Sequence, residues 1–310
     1  MTAAPTRPPD TAPARPPRTR LTRLRTLLGP AGTAAAVFLA IVLVIAIAAP
    51  LLAPHDPDAQ SVLDPYAAPS TTHLLGTDGL GRDITSRLMY GSRTSLIGPV
   101  LVVAVALLAG IPLALAAAWS GGAVAAVIAR LFDLVYATPG LLLAVIAVAL
   151  FGPGLAPAVA ALSIAYVPFL ARIVLAAARQ QRVSPYVDAL TVQGFGVLRI
   201  TLRHILRNIT PVVLGQTAIA FGYALLDLAS LSYLGLAVQA PTPDWGVMVS
   251  DSNALMGGYW LPILAPGVLI VLCVLSLTVL GARINGERPQ PYLRRRAQPR
   301  MRKALTGALS

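Results

Sequence analysis

The sequence predicts an all-α polytopic membrane protein with six transmembrane helices. Three observations support this fold class: the composition, the long uncharged runs and the placement of the arginines. Of the 310 residues, 56% are hydrophobic and 12% are charged, and the mean hydropathy is +0.73. Soluble domains contain about 25% charged residues. A chain this apolar is therefore expected to reside in a membrane.

The transmembrane helices are predicted from uncharged runs that can cross about 30 Å of hydrocarbon at about 1.5 Å per residue. The uncharged stretch 134–171 is too long for one span, and Gly152-Pro153-Gly154 is expected to divide it at a tight turn. The six predicted spans cover residues 31–53, 94–119, 134–151, 155–175, 209–235 and 259–282. The remaining predicted units are a disordered basic tail at 1–30, an extracytoplasmic segment at 54–91, a core transmembrane domain at 92–283 and a basic tail at 284–310.

Basic residues are distributed unequally between the two sides of the predicted membrane domain. All but three of the 24 Lys and Arg residues lie in the tails and in the connections after the second and fourth spans. The exceptions are Arg82, Arg87 and Arg93. Because positively charged loops remain in the cytoplasm, both termini are predicted to be cytoplasmic. The basic tails would contact anionic membrane lipid, and no nucleic-acid partner is expected, because basic and aromatic residues are not interleaved.

The connection between the fourth and fifth spans has the pattern of a short capped helix. Ser184 is a suitable N-cap, and Pro185 suits the first helical position. Asp188 would lie near the positive end of the helix dipole. Gly194 or Gly196 could end the helix in a left-handed conformation. The pattern predicts a helix of about nine residues, roughly 13 Å long at 1.5 Å per residue.

A second amphipathic segment, residues 197–208, is predicted to follow this helix, and Pro211 is expected to start the fifth span. On physical grounds alone the whole connection could be an inert link between two spans. The residues Asp188-Ala189-Leu190, followed by Gly194 and by Ile205-Leu206, favour a functional role. They resemble the Glu-Ala-Ala…Gly…Ile…Leu-Pro motif of binding-protein-dependent ABC importer permeases.

In that family the connection is a coupling helix that inserts into a groove of the ATPase subunit. The resemblance therefore implies an ATPase-docking surface formed by Tyr186, Asp188, Ala189, Leu190, Gly194 and Arg203. This sequence departs from the motif at three positions. Asp188 replaces Glu, Leu190 replaces the second Ala, and Arg207 stands where many members have Pro.

Two other segments narrow the resemblance to the C-type subunits of the dipeptide/oligopeptide permease family. They are the glycine-rich segment 73–91 and the residues 231–236 with 241–246. The resemblance implies a type I ABC importer permease fold in the bacterial cytoplasmic membrane. It also implies alternating-access import of peptides or a related solute, with nickel or another non-peptide solute as the alternative. The implied partners are a B-type permease, two P-loop ATPases that bind ATP and Mg²⁺, and an extracytoplasmic binding protein.

The glycines Gly76, Gly79 and Gly81 do not indicate a phosphate loop in this chain. No Gly-Lys-Ser/Thr follows them, and the only lysine is Lys303. The chain is therefore predicted to be a transport subunit without its own ATPase site, a cofactor of its own or catalytic residues. Residues 73–91 are instead predicted to form a turn that leads into an amphipathic helix at the membrane surface.

Few polar residues in the sequence suggest a further site. Asp227 interrupts an apolar run and is predicted either to line the translocation path or to be a satisfied helix-packing carboxylate. His55, His73 and His204 are widely separated in sequence, so no metal site is predicted. Trp245 and Trp260 are expected at the membrane interface. A membrane enzyme would need clustered catalytic residues, and a secondary carrier would typically show several intramembrane charges or inverted repeats; the sequence shows none of these.

Overall fold

The computed structural model describes residues 20–286, with side chains from residue 28, and this part of the protein is almost entirely helical. Five helices are long and apolar enough to cross a membrane, and a bent pair of shorter helices raises the number to six. The predicted all-α membrane fold class is thus confirmed. The helices are α1 (Arg20–Leu52), α2 (Ile84–Trp119), α3 (Gly122–Tyr136), α4 (Gly140–Phe151), α5 (Leu155–Arg182), α6 (Pro185–Val192), α7 (Val197–Arg199), a π-helical segment (Ile200–Ile205), α8 (Leu206–Tyr233), α9 (Trp245–Val249), α10 (Ser252–Gly257) and α11 (Leu261–Gly286).

The second span begins earlier than its uncharged run. α2 starts at Ile84, ten residues before the predicted boundary at residue 94. Asp83 is its N-cap and accepts a hydrogen bond from the backbone N–H of Ser86 at 2.7 Å. Of the predicted segment 73–91, the turn is present, but the helix that follows it is not a separate surface helix, because residues 84–91 form the first turns of α2.

The third predicted span, residues 134–151, is not one straight helix. α3 and α4 meet at a bend of 77°. Pro139 follows the bend, and a proline disfavours helical backbone at the residue before it, here Thr138. The predicted break between α4 and α5 is present, because Gly152 ends α4 with a positive φ of 88° and α5 starts at Leu155.

The fifth span is also longer than predicted. One continuous helical stretch covers Val197–Tyr233, so the predicted separate segment at 197–208 is the beginning of this span. Pro211 lies more than one turn inside α8 rather than at the start of the span. Helix α1 begins at Arg20 and has a kink at Gly29, so residues 20–30 are not the disordered tail that the sequence predicts. The remaining tail predictions, at 1–19 and 287–310, lie outside the described residues.

Helix α5 lies at the centre of the bundle, where it packs against α2, α3, α4 and α8. Helix α11 packs along α8, and α1 packs on the outer side of α11 and α2. The α8–α11 contact depends on small residues, because a Cβ at Gly281 would overlap the carbonyl oxygen of Gly215. Small residues of this kind let membrane helices approach closely.

A folded cap, comprising residues 54–83 and 234–260, covers the end of the bundle where α2 begins. Arg87 holds its parts together, with only 2% of its side chain exposed. Its guanidinium donates to the carbonyl oxygens of Pro57 and Pro241, each at 3.0 Å, and to the Asp58 carboxylate at 3.2 Å. The cap is therefore attached to α2 through a buried charge.

A second anchor of the cap is Trp245. This side chain is fully buried, and its indole N–H donates to the carbonyl oxygen of Leu88 at 3.1 Å. Trp245 is therefore buried within the protein rather than exposed to lipid headgroups, whereas Trp260, the other predicted interfacial tryptophan, is 58% exposed. The preceding Asp244 caps α9 and accepts from the Ser95 hydroxyl at 2.6 Å. Burial raises the pKa of the Asp244 carboxyl, although the bonds from Ser95 and from backbone amides favour its charged form.

Candidate functional site

The α6 loop, residues 183–199, lies at the opposite end of α2 from the cap, beside Trp119. Helix α6 begins with Pro185 at its first position, as predicted, and Asp188 lies in its first turn. Ser184 occupies the N-cap position with extended backbone, but its side chain makes no capping hydrogen bond. Its hydroxyl donates instead to the Gln180 carbonyl oxygen at 3.4 Å. The predicted N-cap position of Ser184 is therefore confirmed, but its side chain does not supply the capping hydrogen bond.

Helix α6 ends in a Schellman motif. The Phe195 N–H donates to the Leu190 carbonyl at 3.1 Å, and the Gly194 N–H donates to the Thr191 carbonyl at 3.0 Å. Gly194 has a φ of +82°, whereas Gly196 has an extended backbone. Of the two predicted C-terminal glycines, Gly194 ends the helix. A Cβ there would meet no atom within 4 Å, so the requirement for glycine is conformational.

One face of α6 is fixed to the bundle. Val187 is 3% exposed and belongs to an apolar cluster that includes Ile205, with Leu190 packed against it. The Tyr186 hydroxyl donates to the Gln181 side-chain oxygen at 3.0 Å and accepts from the Asn208 amide at 3.2 Å. Tyr186 and Leu190, both predicted docking residues, are therefore half-buried against the bundle.

The other face of the α6 loop is open to solvent. Of the four remaining predicted docking residues, Arg203 is exposed but lies in the π-helical segment after the loop. The open face of the loop includes the other three, Asp188, Ala189 and Gly194. It also includes three exposed apolar side chains that the sequence analysis did not select: Val183, Val192 and Leu198, with exposed fractions of 79%, 88% and 72%. Exposed apolar side chains clustered on one loop indicate a protein contact. The sequence feature that could have revealed these exposed side chains is the presence of apolar residues on both faces of a short helix.

Contacts at the base of the loop connect it to three long helices. The Arg182 guanidinium, at the end of α5, donates to the Ala118 carbonyl at 2.6 Å and lies over the Trp119 ring at 4.9 Å. Arg172 of α5 forms an ion pair with Asp133 of α3. Force applied to α6 would therefore reach α5, the end of α2 and the start of α8 together.

Asp227 faces a cleft of about 520 Å³ between α5, α8 and the bend that joins α3 to α4. Its carboxylate accepts a hydrogen bond from the Tyr166 hydroxyl at 2.8 Å. Two further tyrosines, Tyr136 and Tyr223, line the same cleft. The structure thus gives Asp227 a packing partner and also places it at a cleft, so both alternatives predicted from the sequence are compatible with its surroundings.

Two of the three histidines lie together, although their spacing in the sequence suggested that all three would be separated. The rings of His55 and His73 have centroids 4.7 Å from each other, and both approach the carboxylate of Asp83. His204 lies on the α6 loop side, against Phe195. The prediction that the histidines are too scattered to share a site is wrong for His55 and His73.

The apolar helical bundle, with a cleft beside Asp227 between its helices, defines a multi-pass membrane protein. The family described as "Binding-protein-dependent transport system inner membrane component" matches residues 110–286, and "N-terminal TM domain of oligopeptide transport permease C" matches residues 29–69. The chain belongs to this family of inner-membrane components, the permease subunits of ABC importers. The family resemblance found in the sequence is confirmed.

Curated relatives match over most of the chain. "Dipeptide transport system permease protein DppC" of Escherichia coli K12 is 40% identical over 252 residues, 79% of this chain and 84% of that protein. "Di/tripeptide transport system permease protein DppC" of Pseudomonas aeruginosa UCBPP-PA14 is 38% identical over 250 residues, 79% of this chain and 82% of that protein.

Solved structures support the fold. A chain of the inward-facing MetNI methionine ABC transporter aligns with a TM-score of 0.54 at 17% identity, covering 64% of this chain and 95% of that one. A chain of an amino acid ABC transporter aligns with a TM-score of 0.51 at 18% identity, covering 66% of this chain and 95% of that one. The chain therefore has the type I ABC importer permease fold.

Proposed function

We propose that this chain is the C-type permease subunit of a peptide-importing ABC transporter in the bacterial cytoplasmic membrane. The observation that carries the proposal is the α6 loop, a rigid helix with a buried anchoring face and an exposed face. The names of the relatives favour peptides as the substrate. In this proposal the α6 loop and both termini face the cytoplasm, as the distribution of arginines favours, and the cap faces outward.

The partners in this proposal are a B-type permease, two ATPases and an extracytoplasmic binding protein. The chain hydrolyses no ATP itself, because its sequence contains no P-loop motif. The ATPases bind ATP and Mg²⁺, and their closure moves the exposed face of α6. The anchoring contacts of Tyr186 and Arg182 transmit that movement to α5, α8 and α2. Tilting of these helices opens the path alternately to the two sides of the membrane.

Uptake by the reconstituted transporter tests this function. The full complex in proteoliposomes, with its binding protein outside and ATP inside, is expected to accumulate a labelled dipeptide. The matched control is the same complex with hydrolysis-deficient ATPases, which should show no accumulation. Uptake of a nickel chelate in place of dipeptides would favour the alternative substrate class, and uptake that does not require ATP would contradict the assignment to ABC importers.

Within this function, Asp227 is proposed to line the translocation path and to interact with the ammonium group of a passing peptide. Asp227→Asn keeps an acceptor for the Tyr166 hydroxyl but removes the charge. A hydrogen bond to a charged group contributes about 1.5–3 kcal/mol, so peptide uptake is expected to fall by roughly tenfold or more. Measuring uptake and complex yield together separates transport from folding.

Tyr166→Phe is the matched control for Asp227→Asn, because it removes the Tyr166–Asp227 hydrogen bond but leaves the charged carboxylate in the cleft. We expect it to reduce uptake less than Asp227→Asn does. Wild-type uptake by Asp227→Asn, together with loss of complex in Asp227→Ala, would mean that Asp227 is a helix-packing carboxylate.

A further inference from the structure

Three potential metal ligands converge on the cap, although they are distant in sequence. His55 follows α1, while His73 and Asp83 precede α2. One ligand atom from each residue lies within 4.8 Å of the other two. The Nδ1 atom of His73 is 3.0 Å from one carboxylate oxygen of Asp83, and the Nδ1 atom of His55 is 3.9 Å from the other.

These distances are close to those of a bound metal. Imidazole nitrogen and carboxylate oxygen bind Zn²⁺ at about 2.0–2.2 Å in a tetrahedron, which places ligand atoms roughly 3.3 Å apart. The two observed nitrogen–oxygen distances lie on either side of that value. A rotation of the partly exposed His55 ring would be sufficient to complete the set. The ligand types suit zinc, cobalt and nickel rather than calcium or magnesium.

Hydrogen bonding accounts for only part of the arrangement. Asp83 accepts hydrogen bonds from Ser86 and lies within hydrogen-bond distance of His73, but His55 is too far from that carboxylate to form a hydrogen bond with it. A single divalent cation between the two rings and the carboxylate would use all three groups.

The surrounding bonds hold the ligands in place. The Ser86 hydroxyl donates to Asp83 at 2.7 Å and accepts from the backbone N–H of His55 at 3.0 Å. The backbone N–H of His73 donates to the Ser70 hydroxyl at 3.0 Å. Such outer contacts orient metal ligands before the metal arrives.

The cluster is also accessible from one side. Asp83 has 1% of its side chain exposed, whereas His73 has 22% and His55 has 39%. A cation can therefore enter beside the histidines, and water can fill the fourth position that three protein ligands leave open.

We propose that His55, His73 and Asp83 form a binding site for a divalent transition-metal ion of the Zn²⁺ type. The bound ion would connect the segment after α1 to the start of α2 and so stabilise the cap. The site is separate from the α6 loop and from the Asp227 cleft.

The test uses the full transporter complex without a polyhistidine tag, treated with a chelator and then titrated with Co²⁺ and with Zn²⁺. The wild type is expected to bind one metal ion per complex at a saturable site that the His55 and His73 variants lack. When Co²⁺ occupies this site, the complex should show the visible absorption of low-symmetry Co²⁺ bound to nitrogen and oxygen. His55→Ala and His73→Ala should each weaken binding at least about 100-fold, since even outer contacts alter metal affinity 10- to 100-fold. His204→Ala is the matched control, because this histidine lies at the other end of the bundle, and it should bind like the wild type.

Thermal unfolding of the same samples provides a second readout. Zn²⁺ should raise the unfolding temperature of the wild type and of His204→Ala but not that of His55→Ala or His73→Ala. Without metal the four proteins should unfold at similar temperatures, which excludes general damage to the fold. Equal metal binding by the wild type and both ligand variants, or no saturable binding by the wild type, would overturn the proposal.

Discussion

Replacing Val192 by Asp is expected to release the ATPases from the permease and to abolish ATP-driven uptake. Val192 is 88% exposed on the open face of α6, so the substitution leaves the apolar cluster under the helix intact. Burying an unpaired charge in a desolvated protein contact costs several kcal/mol, and at a contact rim about 2–4 kcal/mol is expected. That cost corresponds to roughly 30- to 1,000-fold weaker association. Co-purification of the ATPases with the permease measures the loss directly.

Val62→Asp is the matched control for this prediction. Val62 is 93% exposed, but it lies in the cap, at the other end of the bundle. The same change of residue there should leave ATPase association unchanged. Equal ATPase association of the two variants would contradict the assignment of the α6 loop as the docking surface.

The Gly194→Ala substitution tests whether the rigidity of the α6 loop, rather than its contact surface, is needed for transport. The added methyl group meets no neighbour, but alanine in the left-handed conformation costs about 1–2 kcal/mol. The helix end should loosen, so that uptake per ATP hydrolysed falls more than ATPase association does.

Replacing Arg87 by Met is expected to destabilise the cap more than any other single change considered for that region. Removing one partner from a buried ionic network costs about 3–5 kcal/mol. We expect the lower end of that range, because Asp78 keeps its ion pair with Arg82 at 2.7 Å. The buried carbonyl oxygen of Pro57 would lose its donor, and the partly exposed carbonyl oxygen of Pro241 would lose the contact that joins it to α2. Thermal unfolding of the complex should show the loss.

Arg93→Met is the control on the same helix, because Arg93 is exposed and should tolerate the change. Arg87→Lys keeps the charge but cannot reach acceptors on both sides, so its stability should lie between those of the wild type and Arg87→Met. A wild-type unfolding temperature for Arg87→Met would show that the buried guanidinium does not hold the cap.

The membrane helices could be predicted from the sequence, because their formation depends on interactions between residues close together in the chain. Lipid requires every backbone polar group to be satisfied within its own helix, so long uncharged runs had to be helical. The α6 loop was also predictable, because Pro185 and Gly194 are local signals for the start and end of a helix. The exposure of the apolar residues Val192 and Leu198 could not be predicted from the sequence, because it depends on where the helix packs.

Proline shows why the helix boundaries could not be read from the sequence alone. Pro99, Pro168 and Pro211 lie inside long helices, whereas Pro139 follows a bend of 77°. Each proline removes one backbone hydrogen bond, and neighbouring helices decide whether the chain continues straight or turns. Proline therefore leaves the helix continuous at some places in the bundle and accompanies a bend at another.

The amino-acid sequence by itself determined the class of protein, the approximate number of spans and the loop proposed to contact the ATPases. Those properties depend on hydropathy, charge and short motifs, which act over a few neighbouring residues. Only the tertiary structure placed Trp245 in the interior, Asp227 at a cleft, and His55 beside His73 and Asp83. These placements depend on contacts between residues far apart in the chain, and the packing of whole helices decides which of those contacts form.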